Sequence, residues 1–525
     1  MLLRRHKHLS FDIEKLSGRN SYILQCHKFP DTVISFPIDW NMDPHQNLLW
    51  RHRLNSLNWL AGQDENVIFF FLLDFFQYHY ERKLPNKLFD SLSGDHATAI
   101  RMKVLRESFG KFQAIGHFDG LKLCQELIKG DVNSALKEEN YRAGHNHGLM
   151  TDLAILELIE NIPELSEIFD RDYVWDRMLK SLNQVFDFKT GLSLEHAVEY
   201  QRFNTNILAD ISQFIQSGNL ADDITPARQI ERLHETAVRA TELLLNLALR
   251  ADGTFFPLGD SPRAKCGRRV AKDSLNPVAV DNLSFWVTPI GFGFFKGFLK
   301  THSNIDLSIV CGWNSYAHKQ NDEFSICLDY AGTVFFDEVG FSNNMTEERK
   351  KNFRSEHAHN TVTLTSQAWN SVRECDHSSK LKGYPLGENG CVFIAKHRRI
   401  PGFAMRRELA ILQNSLLISD MMTGASTVQS RHRFILGANV TVTAKNGGLT
   451  LAAEGHTARF SCLYPDFEIN VSEIEVVAKD PIELERREVI DFIINLEPSK
   501  TAQFFITFDE TPLANFKAGV ATFQK

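Results

Sequence analysis

The chain has no long apolar run. Its most hydrophobic stretch, residues 67–76, is about ten residues long and too short to cross a bilayer, so no membrane insertion is expected. It has no Cys-x-x-Cys pair among its eight cysteines, Cys26, Cys124, Cys266, Cys311, Cys327, Cys375, Cys391 and Cys462. That argues against a thiolate zinc site. A chain of 525 residues can build its cores without disulfides, so these thiols are expected to be free and mostly buried. There is no basic excess: Lys and Arg number 58 against 65 Asp and Glu, for a net charge of −7. A nucleic-acid binder wants a basic footprint, so no nucleic acid is expected as partner. An acidic polymer is not excluded, because a cleft can be locally basic on a mildly acidic surface. No apolar segment of signal-peptide length follows the basic start, residues 1–8. The expected location is cytoplasmic, or periplasmic for a mature chain. Low-complexity tracts and fixed-period repeats are also missing, which argues against a solenoid.

What is present falls into two halves. The first has helical spacing throughout. Residues 66–82 read as a buried helix. Ile100, Val104, Leu105 and Phe109 mark a helix over 97–112, and Leu149, Leu153, Leu156 and Ile159 one over 148–159. Val174, Met178, Leu182 and Val185 do the same over 172–188, and Ile230, Leu233, Val238 and Leu245 over 229–250. Long helices with short connections predict stacked helical hairpins. The second half predicts strands at 324–330, 333–336, 361–365, 409–418, 440–444 and 504–508, with turns between them. Many short strands without intervening helices predict a large antiparallel sandwich. The expected boundaries are an N-terminal extension at 1–35, a helical domain at 36–265, a linker at 266–290 and a sandwich at 291–525. The proline-containing stretch 31–40 is expected to wrap along the surface.

Polar groups suited to proton transfer gather at four places. They are Gly144-His145-Asn146-His147-Gly148-Leu149-Met150, then Gly191-Leu192-Ser193-Leu194-Glu195-His196-Ala197-Val198-Glu199-Tyr200, then Ser315-Tyr316-Ala317-His318-Lys319-Gln320-Asn321-Asp322, and Arg354-Ser355-Glu356-His357-Ala358-His359-Asn360-Thr361. Each has a bland reading when taken alone. A lone histidine is more often structural than catalytic, an Asn near a helix start is usually a cap, and Tyr200 is ordinarily packing. Lys350 and Lys351 suit a solvated loop.

In this order the four segments resemble the heparinase II/III-like polysaccharide lyases. The likeness covers roughly residues 35–510. It implies an α+β multidomain fold, with an N-terminal incomplete (α/α) toroid of helical hairpins followed by a large antiparallel β-sandwich. It implies a lyase that cleaves a uronic-acid-containing anionic polysaccharide or oligosaccharide, a glycosaminoglycan or alginate, by β-elimination. Asn146, His147, Tyr200 and His318 are then the expected catalytic residues, and Glu195, His196, Arg202 and Arg354 the expected substrate-binding ones.

One departure bears on metal. Zinc-containing members of the family carry His-x-His where this chain reads His318-Lys319-Gln320. Their second histidine ligates zinc with an aspartate on the next strand and the histidine of His-Asn-Thr. The counterparts here are Gln320, Asp337 and His359. An amide is a poor zinc ligand beside imidazole, so no cofactor is expected to be required and any zinc site would be weak. Two other functions remain on the table. One is a non-catalytic glycan-binding protein of capsule or exopolysaccharide assembly. The other is a glycoside hydrolase on a similar toroid, for which Glu195 and Asp152 are the available carboxylates.

Overall fold

The computed structural model describes residues 11–15, 21–26, 29–81, 94–217, 224–264, 284–298, 304–343, 345–373, 378–386, 390–412, 415–445, 448–479 and 483–508. They fall into two compact units. The first takes the described residues up to Ser193 and Phe203–Val238, with a short piece around Met345. The second takes Leu194–Arg202, the described part of Arg239–Ser342, and the described residues from Glu347 onward.

The first unit opens with an antiparallel three-stranded sheet, β1 (Phe11–Lys15), β2 (Ser21–Cys26) and β3 (Thr32–Ser35). The rest is helical: α1 (Leu48–Ser56), α2 (Glu65–Phe76), α3 (Gly94–Ile115), α4 (Phe118–Ala135), α5 (Asn146–Asn161) and α6 (Arg171–Val185). α7 (Val198–Ser217) and α8 (Ile224–Ala248) follow, of which Phe203–Ser217 and Ile224–Val238 belong to this unit. The helices form hairpins of an incomplete α/α toroid. Polar residues set where several of them begin. The Asp64 carboxylate accepts from the Val67 amide and the Asp170 carboxylate from the Tyr173 amide, satisfying amides that have no intrahelical partner. The α3–α4 turn uses Gly116 at φ +68°, a conformation that costs glycine little. Gly120 lets the two helices close up, since a Cβ there would sit 2.6 Å from Cγ of Phe112.

Stretch 31–40 lies along the surface with alternate residues turned inward: Asp31, Val33, Ser35, Pro37 and Asp39 are exposed, while Thr32 and Ile34 are buried. Ile38 and Trp40 are buried, and Asp74 holds both, accepting from the Ile38 amide at 3.2 Å and from Trp40 Nε1 at 2.9 Å.

The second unit contains the remaining described strands, paired antiparallel. A five-stranded sheet runs in sequence order through β4 (Ser284–Val287), β5 (Phe292–Phe298), β6 (Asn304–Val310), β7 (Ile326–Tyr330) and β8 (Thr333–Phe336). After α9 (Glu347–Phe353) come β9 (Val362–Leu364), β10 (Lys380–Pro385), β11 (Gly390–His397), β12 (Ala404–Leu412), β13 (Ser415–Thr423) and β14 (Val428–Ile435). Then come β15 (Thr441–Lys445), β16 (Gly448–Ala453), β17 (His456–Cys462), β18 (Phe467–Lys479), β19 (Glu483–Leu496) and β20 (Thr501–Phe508). They make an eight-stranded sheet, β10-β11-β12-β13-β20-β17-β16-β15, and a four-stranded one, β18-β19-β14-β9. Phe504 packs on Phe434 and Phe492 across two sheets, and Tyr330 stacks on Phe508 at 4.0 Å. The expected single strand at 409–418 is two: β12 ends at Leu412 and β13 starts at Ser415, paired as a hairpin. Residues 266–283 of the expected linker lie outside the described residues, and β4 falls at its end. Cys124, Cys311, Cys327, Cys391 and Cys462 are free and buried.

Candidate active site

In the second unit, the polar segment 315–325 forms a loop between β6 and β7. The Val310 amide donates to the Ser325 carbonyl at 2.9 Å, and the Phe324 amide to the Val310 carbonyl at 2.7 Å. The loop therefore leaves and rejoins the sheet at one point. His318 and Phe324 take φ of +56° and +76°. Residues with side chains rarely adopt this region, and packed surroundings must hold them there.

That backbone turns the His318 ring into a crowded polar setting. It stacks on Tyr200, with centroids 3.4 Å apart and planes 16° from parallel. Its Nε2 lies 3.9 Å from Oε2 of the buried Glu195. Its Nδ1 lies 3.1 Å from Oδ2 of Asp260. Asp260 is buried and meets two further residues. Gln320 Nε2 donates to Oδ1 at 2.9 Å, and Arg354 donates through Nε to Oδ1 at 3.0 Å and through Nη2 to Oδ2 at 2.5 Å. The Arg354 guanidinium also lies 4.5 Å over the Phe341 ring. Burial works against ionisation of Asp260. The Arg354 charge and the His318 hydrogen bond outweigh it and hold the carboxyl well below the usual carboxylate range. The sequence does not mark Asp260, which lies in a turn-rich stretch followed by Ser261-Pro262.

The other expected residues have separate places. In the first unit, Asn146 is buried in the first turn of α5, and His145 rather than Asn146 is the cap, its Nδ1 accepting from the His147 amide at 3.2 Å. His147 Nδ1 lies 3.0 Å from Asp95, which also meets Arg142 at 3.2 Å. Asp152 is bound by Arg177 at 2.9 Å and by the Tyr141 hydroxyl at 2.7 Å. Burial pushes its carboxyl up to about 6 despite Arg177. In the second unit, Arg202 is exposed and paired with Glu199. His196, expected to bind substrate, serves the fold instead. It is fully buried, with Nε2 2.8 Å from the Ile290 carbonyl oxygen and its ring on Phe292. Burial and the Lys319 charge push its imidazole down to about 4.

The expected zinc ligands Gln320, Asp337 and His359 do not form a ligand set. Gln320 turns its amide nitrogen to Asp260. Asp337 accepts from Arg250 at 2.8 Å and from Arg263. Two guanidiniums already neutralise that carboxylate and repel a dication. His359 pairs with Glu338, Nδ1 to Oε2 at 2.7 Å, not with Asp337. Asn360 and Thr361 tie the strands: Asn360 Nδ2 donates to the Ile326 and Asp337 carbonyls at 2.6 and 2.8 Å, and Thr361 Oγ1 to the Glu323 carbonyl at 2.5 Å. Gln320, Asp337 and His359 as they stand do not fit zinc.

Residues 301–519 match the family model described as heparinase II/III-like, C-terminal. This part of the chain is similar to that family's C-terminal domain. Likeness of fold extends beyond it. A crystal structure of heparinase III superposes with a TM-score of 0.63 at 13% identity, over 90% of this chain and 79% of that one. Heparan sulfate lyase HepC from Pedobacter heparinus gives 0.56 at 16% identity, over 93% and 81%. No curated protein sequence matches the chain. The heparinase-like domain holds His318, Gln320, Asp337, Arg354 and His359, while Tyr200, Glu195 and Asp260 reach the same unit from earlier in the sequence.

Proposed function

We propose that this chain is a polysaccharide lyase that cleaves a uronic-acid-containing anionic polysaccharide by β-elimination. The observation that carries the reading is the Tyr200–His318 stack: two proton-transfer groups in face-to-face contact beside buried carboxyls, the histidine supplied by a heparinase-like domain. The C5 proton of a uronate is poorly acidic, and its removal builds negative charge on the neighbouring carboxylate. A hydrogen-bond donor at that carboxylate stabilises charge developing in the transition state. One member of the Tyr200–His318 pair takes the C5 proton and the other protonates the departing 4-oxygen. A phenol of ordinary pKa near 10 is a reasonable acid toward an alkoxide. Arg354 and Arg202 offer positive charge for an anionic chain, although Arg354 is largely committed to Asp260.

Hydrolysis would instead need two carboxyl groups flanking the bond. Asp152 does not serve, because Arg177 and Tyr141 occupy it. The test is a screen of alginate, hyaluronan, heparan sulfate and glucuronate-rich exopolysaccharides, followed by the ultraviolet absorbance of the conjugated double bond that only elimination creates. New reducing ends without that absorbance would make the protein a hydrolase. Binding with neither would make it a glycan-binding protein. Either result overturns the proposal.

A further inference from the structure

We propose that Asp260 is a positioning residue that fixes the tautomer of His318, so that Nε2 of His318 is the atom that accepts the C5 proton. This rests on the lyase reading and settles which member of the Tyr200–His318 pair is the base.

An ionised carboxylate only accepts hydrogen bonds and offers about four lone-pair sites. Four contacts fill them at Asp260: Gln320 Nε2 and Arg354 Nε at Oδ1, and Arg354 Nη2 and His318 Nδ1 at Oδ2. The amide nitrogen and the guanidinium can only donate. Asp260, held ionised by Arg354, accepts from all of them, and so requires the proton of His318 on Nδ1. A neutral imidazole carries one N–H, so Nε2 presents a lone pair. Gln320 suits this hub better than a histidine would. Its amide always has N–H groups to give, whereas a neutral imidazole must choose which nitrogen donates. The departure from the family pattern at position 320 is therefore the loss of a metal ligand and the gain of an obligatory donor to Asp260.

The proton inventory closes. The C5–H bond breaks and its proton passes to Nε2. The electron pair forms the C4–C5 double bond, and the C4–O bond breaks. The departing oxygen takes the proton of the Tyr200 hydroxyl. His318 becomes imidazolium with Asp260 at one nitrogen and the Glu195 carboxyl 3.9 Å from the other. Returning the Nε2 proton to the tyrosine oxygen restores both groups.

The experiment uses the full chain with ¹⁵N-labelled histidine, the His318 resonances being identified by their loss in His318→Gln. The wild-type protein should show a protonated, pyrrole-type Nδ1 and a bare, pyridine-type Nε2. In Asp260→Asn the new amide can itself donate, and the population should move toward protonated Nε2. On a polymer found in the screen, Asp260→Asn should lower kcat by about 10²–10⁴-fold, as for loss of a correctly poised base, with KM little changed. Protonated Nε2 in the wild type, or Asp260→Asn turning over like the wild type, overturns the proposal. If no polymer is cleaved, the lyase reading fails while the nitrogen spectrum still decides the role of Asp260. If Asp260→Asn does not fold, the wild-type spectrum decides alone.

Discussion

Tyr200 stacks on His318 through its ring, so removing only its hydroxyl leaves that contact in place. Tyr200→Phe should therefore keep the melting temperature while lowering turnover by about 10²–10⁴-fold, the usual weight of a general acid or base. Circular dichroism and steady-state kinetics on the same preparation check both halves. Gln320→His is the opposite kind of test, because it restores the residue type of zinc-containing relatives. It should not create a tight zinc site: Asp337 remains paired with Arg250 and Arg263, and His359 with Glu338. Elemental analysis after dialysis should find no stoichiometric zinc in either protein, and stoichiometric zinc in the variant would show that the arginines give way. The residues carrying family-like motifs were legible in the sequence. Asp260, Glu338 and Arg250 were not, because their importance comes from partners far away in sequence. His196 was legible but misread, since a motif does not reveal that a side chain faces inward.

At the scale of elements, the helices were read where apolar residues recur without interruption, as in α3 and α5. α4 is marked less clearly: Leu123, Cys124, Leu127, Ile128 and Val132 repeat at helical spacing, but Gly120 and Gly130 weaken the local signal, and packing restores the helix. The five-stranded sheet carries a feature that no strand pattern announces. Asp306 on β6 stands directly opposite Asp329 on β7, and Lys296 on β5 opposite Asp306. Burial pushes the Asp329 carboxyl up to about 7, although Arg250 pulls the other way. A carboxyl whose pKa is raised by folding favours the folded state while protonated. Its contribution is complete below the unfolded carboxylate pKa near 3.9 and is lost as pH rises through about 7. Asp329→Asn should accordingly flatten this loss, melting higher than the wild type in mildly alkaline buffer and no higher in acid. Thermal melts of both proteins across that range check it, and an unchanged difference at every pH would contradict it.

At the scale of the whole molecule, the two units have separate hydrophobic cores. One is built from Trp40, Trp50, Trp59, Phe71, Phe75 and their helical neighbours, the other from Phe393, Phe434, Phe460, Phe492 and Phe504 on the sheets. Two cores of this kind predict unfolding that is not two-state, with a calorimetric enthalpy larger than the van't Hoff value. A ratio of one by scanning calorimetry would argue against it. The Asp260 hub also has a history within the chain. Its partners His318, Gln320 and Arg354 stand 58, 60 and 94 positions further along. Contacts at such separations cannot form while the intervening chain is loose, since closing the loop costs entropy that local pairing does not. Helices and hairpins will appear first during refolding, and His318 will reach its working orientation only after the segments around it have closed. For a lyase that depends on this orientation, recovered turnover should trail recovered ellipticity on refolding, and simultaneous recovery of both would contradict this order.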